Sequence, residues 1–197
     1  MGGVEPLTTV DFPGRLACVI FCQGCPWRCV YCHNRHLQPF TKGRWTWSQI
    51  EAFLEPRRGF LDGVVFSGGE PTAQAALPAA MERVAEMGFA VGLHTAGIYP
   101  GRLGALLPWL EWVGFDIKAP FDSRYDLVTG VADSARPVQM SLEILLAADV
   151  KLQLRTTVDP VLLTPRAIEE LQAGLQRLGA PATVLQDKIF VSSPETA

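Results

Sequence analysis

The 197-residue chain has no apolar run long enough to span a bilayer and no contiguous block of basic residues. A transmembrane helix needs about 20 consecutive apolar residues, so no membrane contact is expected. With 17 basic and 20 acidic residues the net charge is −3, which does not favour nucleic-acid binding. The sequence also shows no targeting segment, no internal repeat and no low-complexity stretch. These absences predict one cytoplasmic domain over residues 1–197, with a core at about 15–186 and a frayed C-terminal tail.

Cysteine is absent outside residues 18–32, which contain all five. Cys25, Cys29 and Cys32 have the spacing Cys-x3-Cys-x2-Cys. Three thiolates so close together can hold three corners of a cubane iron–sulfur cluster, whereas ordinary electron carriers use four cysteines. This spacing therefore predicts a cluster with one iron open to a further ligand.

Cys18, Cys22 and Cys25 repeat the same spacing one step earlier. The residues up to Cys22 are apolar and β-prone, which indicates a buried strand. Cys18 and Cys22 would then be about 13 Å apart along the strand, too far for one cubane. Gly24 and Pro26 break the strand and let the following chain curl, so we favour the later register.

Other uses of the cysteines are less consistent with the sequence. A structural zinc site would use Cys22 with Cys25 and Cys29 with Cys32, but zinc ribbons separate their pairs by a dozen or more residues. A disulfide framework is disfavoured by the odd count. Cys18 and Cys22 are expected to be small buried apolar residues, with the alternative that Cys22 lies near the cluster as a spare thiol.

Strand and helix patterns alternate along the chain. Predicted strands are 15–22, 62–67, 89–94, 111–117, 150–157 and 182–186, and predicted helices are 47–56, 72–87, 100–108, 137–148 and 164–178. Short apolar strands, each followed by a helix, indicate parallel pairing with right-handed crossovers. The predicted fold class is α/β, a partial (β/α)6 TIM-like barrel with ligands at the C-terminal ends of its strands.

Several residues are expected to begin or end these helices. Thr46 or Thr72 could cap the helix that follows it, and Thr164 before Pro165 indicates a cap with proline at the first helical position. Gly88 and Gly179 are candidate stops.

Three predicted strand ends carry residues suited to binding a ligand. Gly68 and Gly69 let the backbone approach a ligand closely, and the adjacent Glu70 can balance a cationic amino group, although this sequence is also common in ordinary turns. Asp116 and Lys118 alternate onto one side and can either face the barrel mouth or form a simple ion pair. Arg155 needs an anionic partner, which could be a bound carboxylate, Asp116 or Glu70.

These residues together resemble the radical S-adenosylmethionine (SAM) superfamily. The segment TTVDFPGRLACVIFCQGCPWRCVYCHN, with GGEPT, GFDIK and RTTV, is similar to the anaerobic ribonucleotide reductase activating proteins within its glycyl-radical-enzyme activating branch. The resemblance covers residues 7–165. It implies a [4Fe–4S] cluster on the three cysteines, with SAM chelating the open iron.

The resemblance also implies SAM contacts from Tyr31, Gly68, Gly69, Glu70, His94, Asp116, Lys118 and Arg155. Tyr31 would pack on the adenine, and the glycines with Glu70 would receive the methionyl amino group. His94 stands where related enzymes often carry aspartate, so it could bond SAM or an Asp116 oxygen, or simply be a satisfied strand-end histidine. The C-terminal adenine contacts are unassigned.

The activity implied is one-electron reductive cleavage of SAM to methionine and a 5′-deoxyadenosyl radical. That radical would take hydrogen from a glycine of an anaerobic ribonucleotide reductase or another glycyl radical enzyme, with flavodoxin or ferredoxin as electron donor. No side-chain acid or base is expected to act in catalysis. Two alternatives are a radical SAM enzyme acting on a small molecule or a different polypeptide, and a non-catalytic iron–sulfur or zinc module.

Overall fold

The computed structural model describes residues 1–188 and shows one seven-stranded sheet whose strands follow sequence order. The strands are β1 Gly3–Thr8, β2 Ala17–Cys22, β3 Gly63–Gly68, β4 Ala90–Thr95, β5 Leu110–Asp116, β6 Lys151–Val158 and β7 Val184–Asp187. Strands β2 to β7 pair in parallel, so the predicted partial (β/α)6 barrel is confirmed. The predicted single domain and frayed tail include residues 189–197, which lie outside the described residues.

Six helices connect the parallel strands: α1 Trp47–Leu54, α2 Leu77–Glu86, α3 Pro100–Leu106, α4 Ser123–Thr129, α5 Ala135–Leu146 and α6 Pro165–Arg177. Thr46 caps α1 in a reciprocal pair of hydrogen bonds with Gln49, and the Thr164 hydroxyl accepts from the N–H of Ala167. Both predicted caps are confirmed. Gly88 and Gly179 follow α2 and α6 closely, as expected of stops.

The prediction that a helix begins near Thr72 was wrong. Residues Pro71–Ala73 form a single 3-10 turn, and α2 starts only at Leu77. The Thr72 N–H and hydroxyl both donate to Glu70, at 3.0 and 2.6 Å, which holds this segment in a tight turn. Thr72 therefore stabilises the turn that follows β3 and does not cap α2.

Two of the strands and α-helices within residues 1–188 were not predicted. Strand β1 pairs antiparallel with β2 at the edge of the sheet, and its mixed sequence includes Pro6, a residue tolerated at sheet edges. Helix α4 has only seven residues, too few to show a helical period, and it is capped by Asp122.

The sheet buries a different apolar layer on each face. Cys18, Ile20 and Phe66 point outward into the large core beneath the helices. A smaller inner cluster contains Phe12, Ala17, Val19, Val65, Ala90 and Trp112. Because its strand residues come from the first halves of their strands, this cluster fills the N-terminal end of the barrel and leaves the C-terminal ends for a site.

Candidate active site

A cavity of about 390 Å³ lies at the C-terminal ends of the parallel strands. It is lined by all eleven residues that the sequence nominated: Cys25, Cys29, Tyr31, Cys32, Gly68, Gly69, Glu70, His94, Asp116, Lys118 and Arg155. Neither Cys18 nor Cys22 lines it, since both lie on β2 and are fully buried. The fold thus brings the second half of the cysteine run, and not the first, to the strand ends.

The loop from Cys25 to Cys32 is held by backbone hydrogen bonds. The Cys25 N–H donates to the Gln38 carbonyl at 2.9 Å, and the Cys32 N–H donates to the Cys29 carbonyl at 3.0 Å. On its other side, the N–H groups of Arg28 and Val30 donate to carbonyls at the end of α4, each at 3.0 Å. The unpredicted helix α4 therefore helps to fix the cysteine loop.

Burial disfavours the thiolate form of Cys25 and Cys29. It raises the pKa of Cys25 to about 12 and also raises the pKa of Cys29, whose charge is partly compensated by Lys118. A metal would therefore have to displace protons on binding. Within residues 1–188 no three His, Cys, Asp or Glu side chains converge tightly enough for a single ion. A cubane meets each thiolate at a different iron, so its ligands stand farther apart.

The glycine turn after β3 packs against the cysteine loop. The Gly69 N–H donates to the Cys22 carbonyl, and the Glu70 N–H donates to the Gly24 carbonyl, both at 2.9 Å. A side chain at Gly69 would press on the Gly24 carbonyl, and Gly68 has φ +108°, a conformation that L side chains rarely adopt. The two glycines are required for this close approach.

Glu70 is 2% exposed, and its carboxylate links the ends of β3 and β4 by hydrogen bonds. Its Oε1 accepts from the Thr72 N–H and hydroxyl and from the Thr95 hydroxyl, and its Oε2 accepts from the Ala96 N–H at 3.0 Å. Burial raises the pKa of Glu70, although these hydrogen bonds oppose the rise. The predicted role of balancing an amino group depends on the acceptor capacity left at Oε2. Thr95 follows the nominated His94 at the same strand end, and sequence reasoning missed it.

Asp116 joins two cations inside the cavity. Its Oδ2 is 3.0 Å from Lys118 Nζ, and its Oδ1 is 2.9 Å from Arg155 Nη2. Burial alone would raise the pKa of Asp116, but the charges of Lys118 and Arg155 together outweigh it and hold that pKa well below the usual range. Arg155 therefore pairs with Asp116 and not with Glu70. One carboxylate and two cations leave a surplus positive charge here.

Of the three alternatives for His94, the hydrogen bond to an Asp116 oxygen does not form. Its Nε2 lies 3.0 Å from the Asp11 carbonyl oxygen and 3.2 Å from Arg155 Nη1, and its ring meets Trp112 edge-on. The contact with the Asp11 carbonyl requires a hydrogen on Nε2, whereas the contact with Arg155 requires an unprotonated Nε2 as acceptor. Only one of these two hydrogen bonds can therefore form at a time. Burial and the Arg155 charge lower the pKa of His94 to about 4, which keeps the ring neutral near pH 7.

One residue that lines this cavity carries a buried polar atom without a hydrogen-bond partner. Among residues 1–188, Tyr31 Oη is the one buried side-chain nitrogen or oxygen without a hydrogen-bond partner. An unpaired buried hydroxyl is costly, so its presence in a cavity wall indicates a place for a ligand atom. The Tyr31 ring packs against the outer core, and burial raises the pKa of its hydroxyl.

Comparison with known proteins places the chain in a family. The family model described as "Radical SAM superfamily" matches residues 19–178. The chain belongs to the radical SAM superfamily. The cofactors of this superfamily are a [4Fe–4S] cluster and SAM. The residues present fit both, because three cysteines, a close-packed glycine turn and an unpaired hydroxyl share one cavity.

Named relatives give a finer comparison for this radical SAM protein. A protein of Methanocaldococcus jannaschii, named as a glycyl-radical enzyme activating enzyme, is 31% identical over an alignment of 177 residues. The alignment covers 87% of this chain and 73% of that protein. The pyruvate formate-lyase-activating enzyme of Clostridium pasteurianum is 33% identical over 64% of this chain. The chain spans only 56% of the latter enzyme's length.

A solved structure agrees on the fold. Native anSMEcpe with bound AdoMet has a TM-score of 0.69 and 18% identity, over 87% of this chain and 51% of that chain. Within residues 1–188 the protein has no helix long and apolar enough to cross a membrane.

Proposed function

We propose that this radical SAM protein cleaves SAM reductively and uses the resulting radical to install a glycyl radical on a partner protein. The observation that carries the proposal is the meeting of Cys25, Cys29 and Cys32 with the glycine turn and the Asp116 triad in one cavity. The names of the two sequence relatives support the glycyl-radical activating type. Anaerobic ribonucleotide reductase is our specific candidate for the partner, because the FPG, CHN and Asp-x-Lys sequences resemble its activators.

When bound, a reduced cluster and SAM supply the difficult step, the one-electron cleavage of a carbon–sulfur bond. Cys25, Cys29 and Cys32 would hold the cluster, and their number leaves one iron for SAM. The protein's own part is to bind, orient and shield. We therefore assign no residue as a catalytic acid or base.

The charge distribution of the cavity favours the amino-acid end of SAM. Asp116, Lys118 and Arg155 carry a surplus positive charge in a partly buried place, which favours an anionic group such as a carboxylate. Glu70 is close by with acceptor capacity left at Oε2, which suits an ammonium group. A ligand that carries an ammonium and a carboxylate on one carbon atom, as the methionyl end of SAM does, matches this pair of environments.

The inner cluster excludes water from the opposite end of the barrel. Phe12 and Trp112 stack at 5.7 Å between ring centroids, below the level of His94. A reactive radical formed above them would meet apolar side chains on one side and only the open mouth on the other. The mouth is where a loop of a partner protein could present its glycine.

The decisive experiment compares two cysteine variants after anaerobic reconstitution. Wild type should take up about four irons per chain and form 5′-deoxyadenosine with a reductant and SAM. Cys29→Ala should abolish SAM cleavage. Cys18→Ala, changed on the outer face of β2, should largely preserve it. An essential Cys18 with a dispensable Cys32 would reverse the assignment.

The partner is tested by electron paramagnetic resonance. Anaerobic ribonucleotide reductase incubated with the reduced protein and SAM should develop a glycyl radical doublet. SAM cleavage without radical transfer to any glycyl radical enzyme would favour a small-molecule or different polypeptide substrate. Tetrahedral zinc with no iron uptake would instead favour a non-catalytic binding module. We also propose that the enzyme is cytoplasmic and that flavodoxin or ferredoxin is its electron donor. Replacing the chemical reductant by each reduced carrier in the same assay tests the donor.

A further inference from the structure

The cysteine-bearing part of the chain has an unusual charge. Residues 12–50 contain no aspartate or glutamate, but they contain five of the chain's basic residues and two of its three histidines. This segment has a net charge of +5, which leaves −8 for the rest of a chain whose total is −3. The basic residues are dispersed in sequence, so they do not form a contiguous block.

Much of this positive charge is free of carboxylate partners. Arg15 pairs with Glu111, but across residues 1–188 no ion pair involves Arg28, Arg35, Lys42 or Arg44. Arg35, Lys42 and Arg44 are exposed. Charges that are unpaired and exposed project a positive field toward approaching molecules.

An exposed aromatic ring lies within the same segment. Phe40 is 60% exposed, and its ring covers the backbone of Gly24, the residue before Cys25. An exposed apolar ring on a segment that also carries exposed basic residues is typical of a protein docking site, where the ring supplies contact area and the charges steer the partner.

This surface is bonded directly to the first cluster cysteine. The Gly24 N–H donates to the Leu37 carbonyl at 2.7 Å, and the Cys25 N–H donates to the Gln38 carbonyl at 2.9 Å. The Gln23 side chain donates to the carbonyls of His36 and Pro39, at 3.1 and 2.8 Å. Only a few bonds therefore separate the exposed segment from the Cys25 thiol.

The surface lies outside the cavity. His33 and Asn34 line the cavity, but none of residues 35–44 does. A glycine that enters the cavity therefore does not itself contact Phe40. An electron can reach Cys25 through the bonds that join it to residues 35–40, so the carrier itself does not have to enter the cavity.

We propose that residues 35–44, which carry the exposed Phe40 ring and the exposed, unpaired Arg35, Lys42 and Arg44, dock an acidic one-electron carrier protein. The proposal rests on the proposed function, because reductive cleavage needs one electron from outside. The carrier loses one electron and the cluster gains it, and no bond forms or breaks in this step. Opposite charges bring the two proteins together, and the hydrogen-bonded backbone at Cys25 provides the route inward.

The test uses a charge-reversed variant with a matched control. Lys42→Glu with Arg44→Glu is compared with Lys151→Glu plus Arg177→Glu, a pair of exposed basic residues elsewhere that form no ion pair with any other residue of 1–188. Reconstituted protein is mixed in stopped flow with reduced flavodoxin or reduced ferredoxin, or with dithionite. The docking variant should lose at least about tenfold in its second-order rate constant at low salt, since steering of this kind contributes 10- to 1000-fold.

Three further results are expected. The loss should shrink at high salt, because mobile ions screen surface charge. Dithionite should reduce both variants as fast as wild type, and Phe40→Ser should weaken the carrier reaction without changing its salt dependence. Oxidised flavodoxin should also bind the cluster-free wild-type chain at low salt and not the docking variant, measured by fluorescence anisotropy.

Equal loss in the control pair, or no loss in the docking variant, would overturn the proposal. So would normal carrier kinetics combined with impaired glycyl radical formation under dithionite, because the surface would then belong to the substrate protein. Failure of the proposed function is a separate observation: SAM would remain uncleaved in the presence of dithionite, while carrier binding could still be measured.

Discussion

Removal of the unpaired hydroxyl of Tyr31 should have opposite effects on the ligand-free and ligand-bound protein. Tyr31→Phe keeps the ring and removes only Oη, which has no hydrogen-bond partner. A buried polar group left unpaired costs about 1–3 kcal/mol. The substitution should therefore raise the free energy of unfolding of the ligand-free chain by about 1–3 kcal/mol, and each 1 kcal/mol corresponds to about 2–4 °C in Tm for a domain of this size.

The same substitution should weaken SAM binding. If Oη bonds a polar atom of SAM, its loss forfeits a net 0.5–1.5 kcal/mol, roughly a 2- to 12-fold rise in Kd. Thermal unfolding of the ligand-free protein measures the first effect. Anaerobic titration calorimetry of the reconstituted protein with SAM measures the second.

Tyr125 provides the matched control, because its buried hydroxyl already accepts the Lys118 N–H at 3.1 Å. Tyr125→Phe leaves that N–H unpaired and should lower the free energy of unfolding by about 1–3 kcal/mol. The two substitutions make the same chemical change and should shift stability in opposite directions. A Tyr31→Phe protein that is less stable without ligand, with unchanged affinity for SAM, would refute the reasoning.

Two further substitutions test the strand ends. The pKa of about 4 for His94 is below its unfolded value of about 6.5, so wild type should lose up to about 3 kcal/mol as pH falls from 6.5 to 4. Urea unfolding of His94→Asn should lack that part of the pH dependence; parallel curves for the two proteins would contradict the assignment of a buried neutral ring. Gly69→Ala should cost about 2 kcal/mol or more and lower iron retention, because the added carbon presses on the Gly24 carbonyl. Gly101→Ala, on a helix with open space around it, should be harmless by both measures.

The parallel core of the fold could be predicted from sequence because most residues of its strands β2 to β5 are buried, on both faces of the sheet. Strands such as β3 and β4 are short apolar runs with helices between them, and their predicted bounds fall within about two residues of those observed. Strand β1 lacks this signal, since it lies at the sheet edge with one neighbour and several exposed side chains. Helix α4 lacks it because seven residues cannot establish a 3.6-residue period.

The members of the site were predictable, but several of their contacts were not. Residues at the C-terminal ends of the strands meet in a parallel barrel. The sequence therefore predicts that Glu70, His94 and Asp116 lie in one site. The Asp11 carbonyl that meets His94 has no sequence signature, because every residue has a carbonyl. The Thr95 contact with Glu70 joins side chains 25 positions apart in sequence, which no local pattern reveals.

Most polar groups in the cavity are committed to other protein groups, which orders the site before a ligand arrives. Glu70 accepts four hydrogen bonds, and Asp116 forms ion pairs with Lys118 and Arg155. A preordered site spends little binding free energy on fixing its own side chains. Recognition then falls to the groups with capacity left: the Tyr31 hydroxyl, the second acceptor position of Glu70 Oε2 and the surplus positive charge beside Asp116. A polar partner for the hydroxyl, an ammonium for Glu70 and a carboxylate for the cations are the features that one molecule of SAM can present together.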